Sequence, residues 1–143
     1  SVFGLFAQPG MSAYNASKFA VRGFTESLRQ ELDMANCGVS ASCVHPGGIK
    51  TNIAKTARMN ASLSSVTGQD ADKAREQFND QLLRTTPEKA AQVIINGALA
   101  NKRRILIGPD AYAFYQRVVT ASIRLAARLS PKSSSKKAQT ATE

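Results

Sequence analysis

Tyr14-Asn15-Ala16-Ser17-Lys18-Phe19-Ala20-Val21-Arg22-Gly23-Phe24-Thr25-Glu26-Ser27-Leu28-Arg29-Gln30-Glu31-Leu32 is the stretch on which the reading of this chain turns. Its apolar residues return every three or four positions, the repeat of a helix, and no proline interrupts it. We expect a helix from about Ala13 to Ala35, closed at Asn36-Cys37-Gly38 by a glycine. Residues four apart share a helix face, so the Lys18 ammonium can lie beside the Tyr14 phenol. A phenol is a poor acid or base at neutral pH, and a neighbouring cation makes the ionised form easier to reach. Proton transfer to or from a substrate oxygen needs such a group. Val21, Phe24, Leu28 and Leu32 form a stripe expected to face a sheet. Ala16, Phe19, Ala20 and Gly23 give a second apolar edge, to be covered by a second copy of the chain or by another part of the same protein.

Two further motifs flank the helix. Ser1-Val2-Phe3-Gly4-Leu5 opens a Gly/Pro-punctuated loop thirteen residues before Tyr14. After the helix, Val39-Ser40-Ala41-Ser42-Cys43-Val44 reads as a short buried parallel strand, broken by His45-Pro46-Gly47-Gly48-Ile49-Lys50-Thr51. Ligands of open α/β sheets bind beyond the carboxyl ends of the strands, where this turn lies.

Serine, Tyr-x-x-x-Lys and a strand ending in Pro-Gly-x-Ile-x-Thr, in this order and spacing, resemble the short-chain dehydrogenase/reductase family from Ser1 to about Gly108. A lone Tyr-x-x-x-Lys is weak; the three motifs together are specific. The resemblance implies a Rossmann-type doubly wound parallel sheet in an α/β fold. It also implies an enzyme moving a hydride between NAD or NADP and an alcohol/ketone pair, in which Tyr14 is the general acid/base. By the same resemblance Ser1 positions the carbonyl and Lys18 tunes Tyr14 and holds the nicotinamide ribose. Pro46, Gly47, Ile49 and Thr51 would belong to the cofactor site, Ile49 through its backbone. The resemblance further implies a homo-oligomer formed through the Tyr14–Ala35 helix and a small-molecule alcohol or carbonyl substrate.

The family's Gly-rich phosphate turn, its Asn-Asn-Ala-Gly segment and its helix-borne catalytic Asn are absent from these residues. The chain therefore reads as the C-terminal half of the fold, with the dinucleotide-binding half missing and little activity expected alone. Residues 1–130 would be the catalytic portion of one domain, and 131–143 a disordered Ser/Lys-rich tail. Nothing in these residues chooses between NAD and NADP.

Further on, residues 52–84 read as a substrate-covering region with a charged helix from Asp70 to Leu83. Thr86-Pro87-Glu88-Lys89 opens a helix, Thr86 as N-cap, with Ala90, Val93, Ile94, Gly97 and Ala98 toward the sheet. Arg104 to Ile107 is a strand ended by Gly108-Pro109-Asp110, and a last helix runs from Ala111 to Leu129. Its apolar stripe is Phe114, Val118, Ala121, Leu125 and Leu129, widened by Tyr115, Val119, Ile123 and Ala126.

Charge and composition exclude other classes. The net charge is +9, but residues 1–100 hold ten basic and eight acidic groups, against nine and two in 101–143. The motif-bearing part is nearly neutral, which argues against a nucleic-acid-binding core. The basic end leaves a peripheral contact with an anionic membrane through residues 111–137 as an expectation beside docking onto protein. Cys37 and Cys43 have no metal-ligand spacing, no metal site is expected, and Cys43 suits a buried strand position. The single histidine, His45, has no nucleophile or carboxylate nearby in sequence and reads as structural. No apolar run is long enough to span a bilayer, and a cytoplasmic, at most membrane-associated, protein is expected. The rival reading is a non-catalytic oligomerising or membrane-surface module that keeps the fold.

Overall fold

The computed structural model describes residues 1–56, 68, 73 and 83–129. The charged helix expected over Asp70–Leu83, the loop before it and the tail from 131 fall almost wholly outside these residues. A 3-10 turn, Val2–Gly4, leads to α1 (Ser12–Ala35), β1 (Cys43–Pro46) and a short α2 (Ile53–Thr56). Then come α3 (Pro87–Leu99), β2 (Arg104–Ile107) and α4 (Pro109–Leu129). β1 and β2 pair in parallel with Cys43 opposite Arg104 and Pro46 opposite Ile107, and an isolated parallel bridge joins Ile49 to Thr85. A parallel pair linked through a helix is the expected α/β unit, a part of a Rossmann-type sheet.

Alternation along β2 gives the sheet two covered faces. Ile105 and Ile107 point to α3, packing with Ala90, Val93 and Ile94 and with Val44 of β1. Leu106 points the other way, into a second cluster with Val2, Leu5 and Ala111, against which Phe3, Phe6 and Tyr115 pack. Thr86 caps α3 as its composition requires: its hydroxyl accepts from the Lys89 amide at 3.3 Å. Ala98, expected on the sheet side of α3, is exposed.

Three further expectations need correction. The first strand starts at Cys43, not Val39, and runs through Pro46; Val39 is exposed. Its partner strand begins only at Arg104, so residues 39–42 have no ladder on this chain; the Ser42 hydroxyl instead donates to the Lys102 carbonyl at 2.7 Å. The end of α1 is made by Asn36, not a glycine: Asn36 takes the left-handed conformation with φ 46° and its amide donates to Leu32 and Asp33 carbonyls. Most consequentially, α1 turns only the later half of its apolar stripe inward: Leu28 and Leu32 are half-buried, Val21 and Phe24 are not. Val21 is 59 % and Phe24 70 % exposed, with Ala16, Phe19, Ala20 and Gly23 also outward. The inward side also carries Asn15, Arg22, Glu26 and Arg29, at helical spacing. Arg29, 7 % exposed, donates to the Ala41 carbonyl at 3.1 Å and pairs with Asp33 at 3.0 Å. Asp33 pairs on with Arg103, and Glu26 bridges Arg22 to Arg104 of β2. Besides pairing with one another along α1, these charges find partners on the strand side in Arg103, Arg104 and the Ala41 carbonyl.

Candidate active site

The first turn of α1 carries the pair singled out in the sequence. Lys18 Nζ lies 5.0 Å from the centroid of the Tyr14 ring, over its face, and Tyr14 stands edge-on to Phe3 at 6.0 Å. Helical spacing alone brings the cation to the phenol ring. Tyr14 is 38 % exposed and Lys18 half-buried, so both remain open to a ligand.

Ser1 is held beside this helix by several contacts. The Ser1 hydroxyl accepts from the Phe3 amide at 3.2 Å and caps the 3-10 turn. Gly4 rests against the Lys18 carbonyl, where a Cβ would approach to 2.9 Å, and the Gly4 carbonyl accepts from Arg22 at 3.1 Å. The Ser1 nitrogen donates to the Val44 carbonyl at 3.3 Å. His45, 1 % exposed, sits 3.2 Å from the Ser1 carbonyl through Nδ1. A carbonyl only accepts, so Nδ1 carries the hydrogen, and Nε2 has no hydrogen-bond partner among the described residues. Burial pushes the His45 pKa below its ordinary value of 6.5. His45 is thus a neutral structural group that anchors Ser1, as its isolation in the sequence led us to expect.

The Pro46–Thr51 turn follows directly at the carboxyl end of β1. The Gly47 amide donates to Ile107 at 2.9 Å, that of Lys50 to Thr85 at 2.8 Å and that of Thr51 to Ile49 at 2.8 Å. Thr51 is exposed, and its hydroxyl accepts weakly from the Ile53 amide at 3.5 Å. The three sequence motifs are therefore linked: Ser1 contacts β1 at Val44 and His45, and Gly4, three residues on, meets α1 at Lys18 and Arg22. Tyr14 and Lys18 are brought together directly; the turn residues Gly47, Ile49 and Thr51 adjoin Ser1 through β1, and no contact joins them to Tyr14 among those seen.

Sequence reading missed Thr85, Asp110, Glu26 and Arg104 as supports of this region. Gly108-Pro109-Asp110 signals a turn, but only the parallel pairing of β1 with β2 brings Asp110 onto Gly48. Cys43 is buried, which pushes its thiol pKa up, and it acts as packing; Cys37 is exposed. Among the described residues no cluster of His, Cys, Asp or Glu could hold a metal ion, and no helix is long and apolar enough to cross a membrane.

Residues 1–62, which contain the Tyr14–Lys18 pair and the Pro46–Thr51 turn, match the family model described as short chain dehydrogenase. A putative oxidoreductase, SadH, from Mycobacterium tuberculosis is 44 % identical over 133 residues, 86 % of this chain and 46 % of that protein. A dehydrogenase/reductase SDR family protein 7-like from Drosophila melanogaster is 37 % identical over 95 residues, 62 % of this chain and 28 % of the relative. The crystal structure of a short-chain dehydrogenase from Streptomyces avermitilis superposes with a TM-score of 0.61 at 25 % identity, covering 90 % of this chain and 46 % of that one. The motif order, the parallel sheet and these matches put the chain in the short-chain dehydrogenase/reductase family, of whose matched members it spans about half the length or less.

Proposed function

We propose that this chain supplies the acid/base half of an NAD(P)-dependent oxidoreductase that interconverts an alcohol and a ketone or aldehyde. The observation that carries the reading is the Lys18 ammonium 5.0 Å from the Tyr14 ring, on the helix turn packed against the Ser1 segment. In reduction Tyr14 donates its phenolic proton to the carbonyl oxygen as that oxygen gains negative charge; in oxidation the phenolate takes the proton back. The Lys18 ammonium supplies positive charge beside the point of proton transfer, and the Ser1 hydroxyl orients the reacting oxygen.

The donor set fits a nicotinamide nucleotide. An ammonium and a phenol suit ribose hydroxyls, while the exposed Thr51 hydroxyl and the Ile49 backbone, at the carboxyl end of the sheet, suit a carboxamide. When bound, the nicotinamide would supply or accept the hydride. Pro46 and Gly47 shape the turn that carries these groups. These 143 residues contain no Gly-x-x-x-Gly-x-Gly, so on this reading the pyrophosphate is held elsewhere in the whole protein and the chain alone is inactive. The exposed apolar arc of α1, with Val21 and Phe24, supports homo-oligomerisation through that helix.

In the whole protein, Tyr14→Phe is expected to lower kcat by about 10²–10⁴-fold while leaving cofactor binding intact. Lys18→Ala is expected to damage both. Titration calorimetry of the chain by itself should show no tight NADH or NADPH binding. Retention of most of kcat by Tyr14→Phe would remove Tyr14 from the chemistry, and micromolar cofactor binding to the chain alone would relocate the cofactor site.

A further inference from the structure

Asp110 has no role in the reading above, yet three features of the structure converge on it. Its Oδ2 accepts from the Gly48 amide at 2.7 Å. A Cβ on Gly47 would overlap both Asp110 oxygens, so the carboxylate occupies the place of a side chain there. Gly108, at φ +91°, would set a Cβ 2.6 Å from Asp110 Oδ1 and 3.0 Å from Thr85 Oγ1. Two glycines at the ends of different strands thus yield their side-chain space to one carboxylate.

The backbone around it is tied on both sides. Gly47 donates to Ile107, the Gly48 carbonyl accepts from Arg84 and Thr85 at 3.2 Å each, and Ile49 bridges Thr85. Of the amide hydrogen bonds seen between Gly47 and Thr51, that of Gly48 alone ends on a side chain. A charged acceptor makes the stronger kind of hydrogen bond, and the first turn of α4 favours a negative charge at this position.

We propose that Asp110 is the positioning residue of the Pro46–Thr51 turn. Its carboxylate, carried on α4, holds the Gly47–Gly48 backbone so that Ile49 and Thr51 are presented to the nicotinamide; this rests on the reading of that turn as the cofactor segment. Asp110 acts through the turn and touches no reacting atom. Its loss is felt as weaker cofactor binding and not as slower chemistry. The fit also couples Asp110 to Gly47: a methyl at Gly47 displaces the carboxylate, and removing the carboxylate makes room for the methyl.

The test has one readout independent of cofactor and one that depends on it. Amide hydrogen exchange is followed at Gly48 and Lys50 in the protein without cofactor, and KM for NADH or NADPH and kcat are measured in the whole protein. Asp110→Ala is expected to speed Gly48 exchange and raise cofactor KM, each roughly tenfold, as for loss of a charged hydrogen bond, with kcat nearly unchanged. Asp110→Asn keeps an accepting oxygen and should restore most of both. Gly47→Ala should resemble Asp110→Ala, and should do less harm when combined with it. Unchanged Gly48 exchange in Asp110→Ala overturns the clamp, whatever the cofactor does. Faster exchange with unchanged cofactor KM shows a clamp on a turn that does not hold cofactor, which overturns the proposal through the reading beneath it. If Asp110→Ala fails to fold, Asp110→Asn and Gly47→Ala carry the test: Gly48 protection equal in Gly47→Ala and the unmodified protein overturns it.

Discussion

Two of the helices around this sheet, α3 and α1, meet the strands with different chemistry. α3 is apolar where it meets β2: Ala90, Val93 and Ile94 pack on Ile105 and Ile107, and Gly97 lets the helix approach until a Cβ would touch Ile105 at 2.7 Å. α1 meets the strands through charge, with Arg22, Glu26 and Arg104 in one chain of ion pairs and Arg29, Asp33 and Arg103 in another. Apolar packing is non-directional and supplies most of the stabilisation. Ion pairs on partly exposed groups supply little energy, but their geometry sets how a helix is rotated and where it stops. The helix bearing Tyr14 and Lys18 is thus oriented largely by hydrogen-bonded charge, and Phe19, Val21 and Phe24 are left outward.

The largest effect should come from breaking the α3 side. Ile107 is 1 % exposed, and Ile107→Ala should cost about 2–5 kcal/mol in urea unfolding, the usual range for a large-to-small change in a core. A loss below about 1 kcal/mol would mean that α3 is not the stabilising layer we take it to be. Breaking the α1 side should cost less. Glu26→Gln removes the charge shared by Arg22 and Arg104, and with its partners partly solvated the loss should be about 1 kcal/mol or less and should shrink in high salt. A loss as large and salt-insensitive as that of Ile107→Ala would erase the contrast between the two helices.

pH separates the same contributions. Burial holds the His45 pKa below 6.5, so the unfolded chain binds the extra proton first. Stability from His45 is whole above that value and is lost as pH falls from 6.5 toward the lower folded value. Glu26 behaves differently: burial raises its pKa, but hydrogen bonds from Arg104 and Arg22 outweigh this and hold it below 4.5. Its contribution is present above 4.5 and disappears only as pH falls further. Denaturation curves between pH 6.5 and 5 should therefore show a slope that His45→Asn reduces and Glu26→Gln does not. An undiminished slope in His45→Asn would assign it to another group.

The smallest effect on the stability of one copy should come from Phe24→Asp, because Phe24 is 70 % exposed. Within about 0.5 kcal/mol its unfolding should match that of the unmodified chain, as for surface substitutions generally. The same substitution in the whole protein should reduce the mass seen by light scattering, and unchanged mass would remove α1 as the site of self-association.

Much of this was legible in the chain itself. The extent of α1, the Thr86 cap of α3, the β2 segment and the Tyr14–Lys18 pairing all follow from local spacing, since a helix or strand repeat acts over a few residues. What the sequence by itself determined is the set of elements and the residues that one turn of helix must bring together. Which face of α1 turns inward was decided by tertiary structure. Arg22, Glu26 and Arg29 look like solvent residues until Arg104 and the Ala41 carbonyl, far along the chain, offer partners for their charge. The start of β1 at Cys43 was decided the same way, by where β2 begins. So was the place of Asp110, which meets Gly48 only because two strands distant in sequence lie side by side in parallel. Side-chain periodicity is written in neighbours a few residues apart, whereas partners for buried charge and backbone amides come from long-range pairing, which no local repeat encodes.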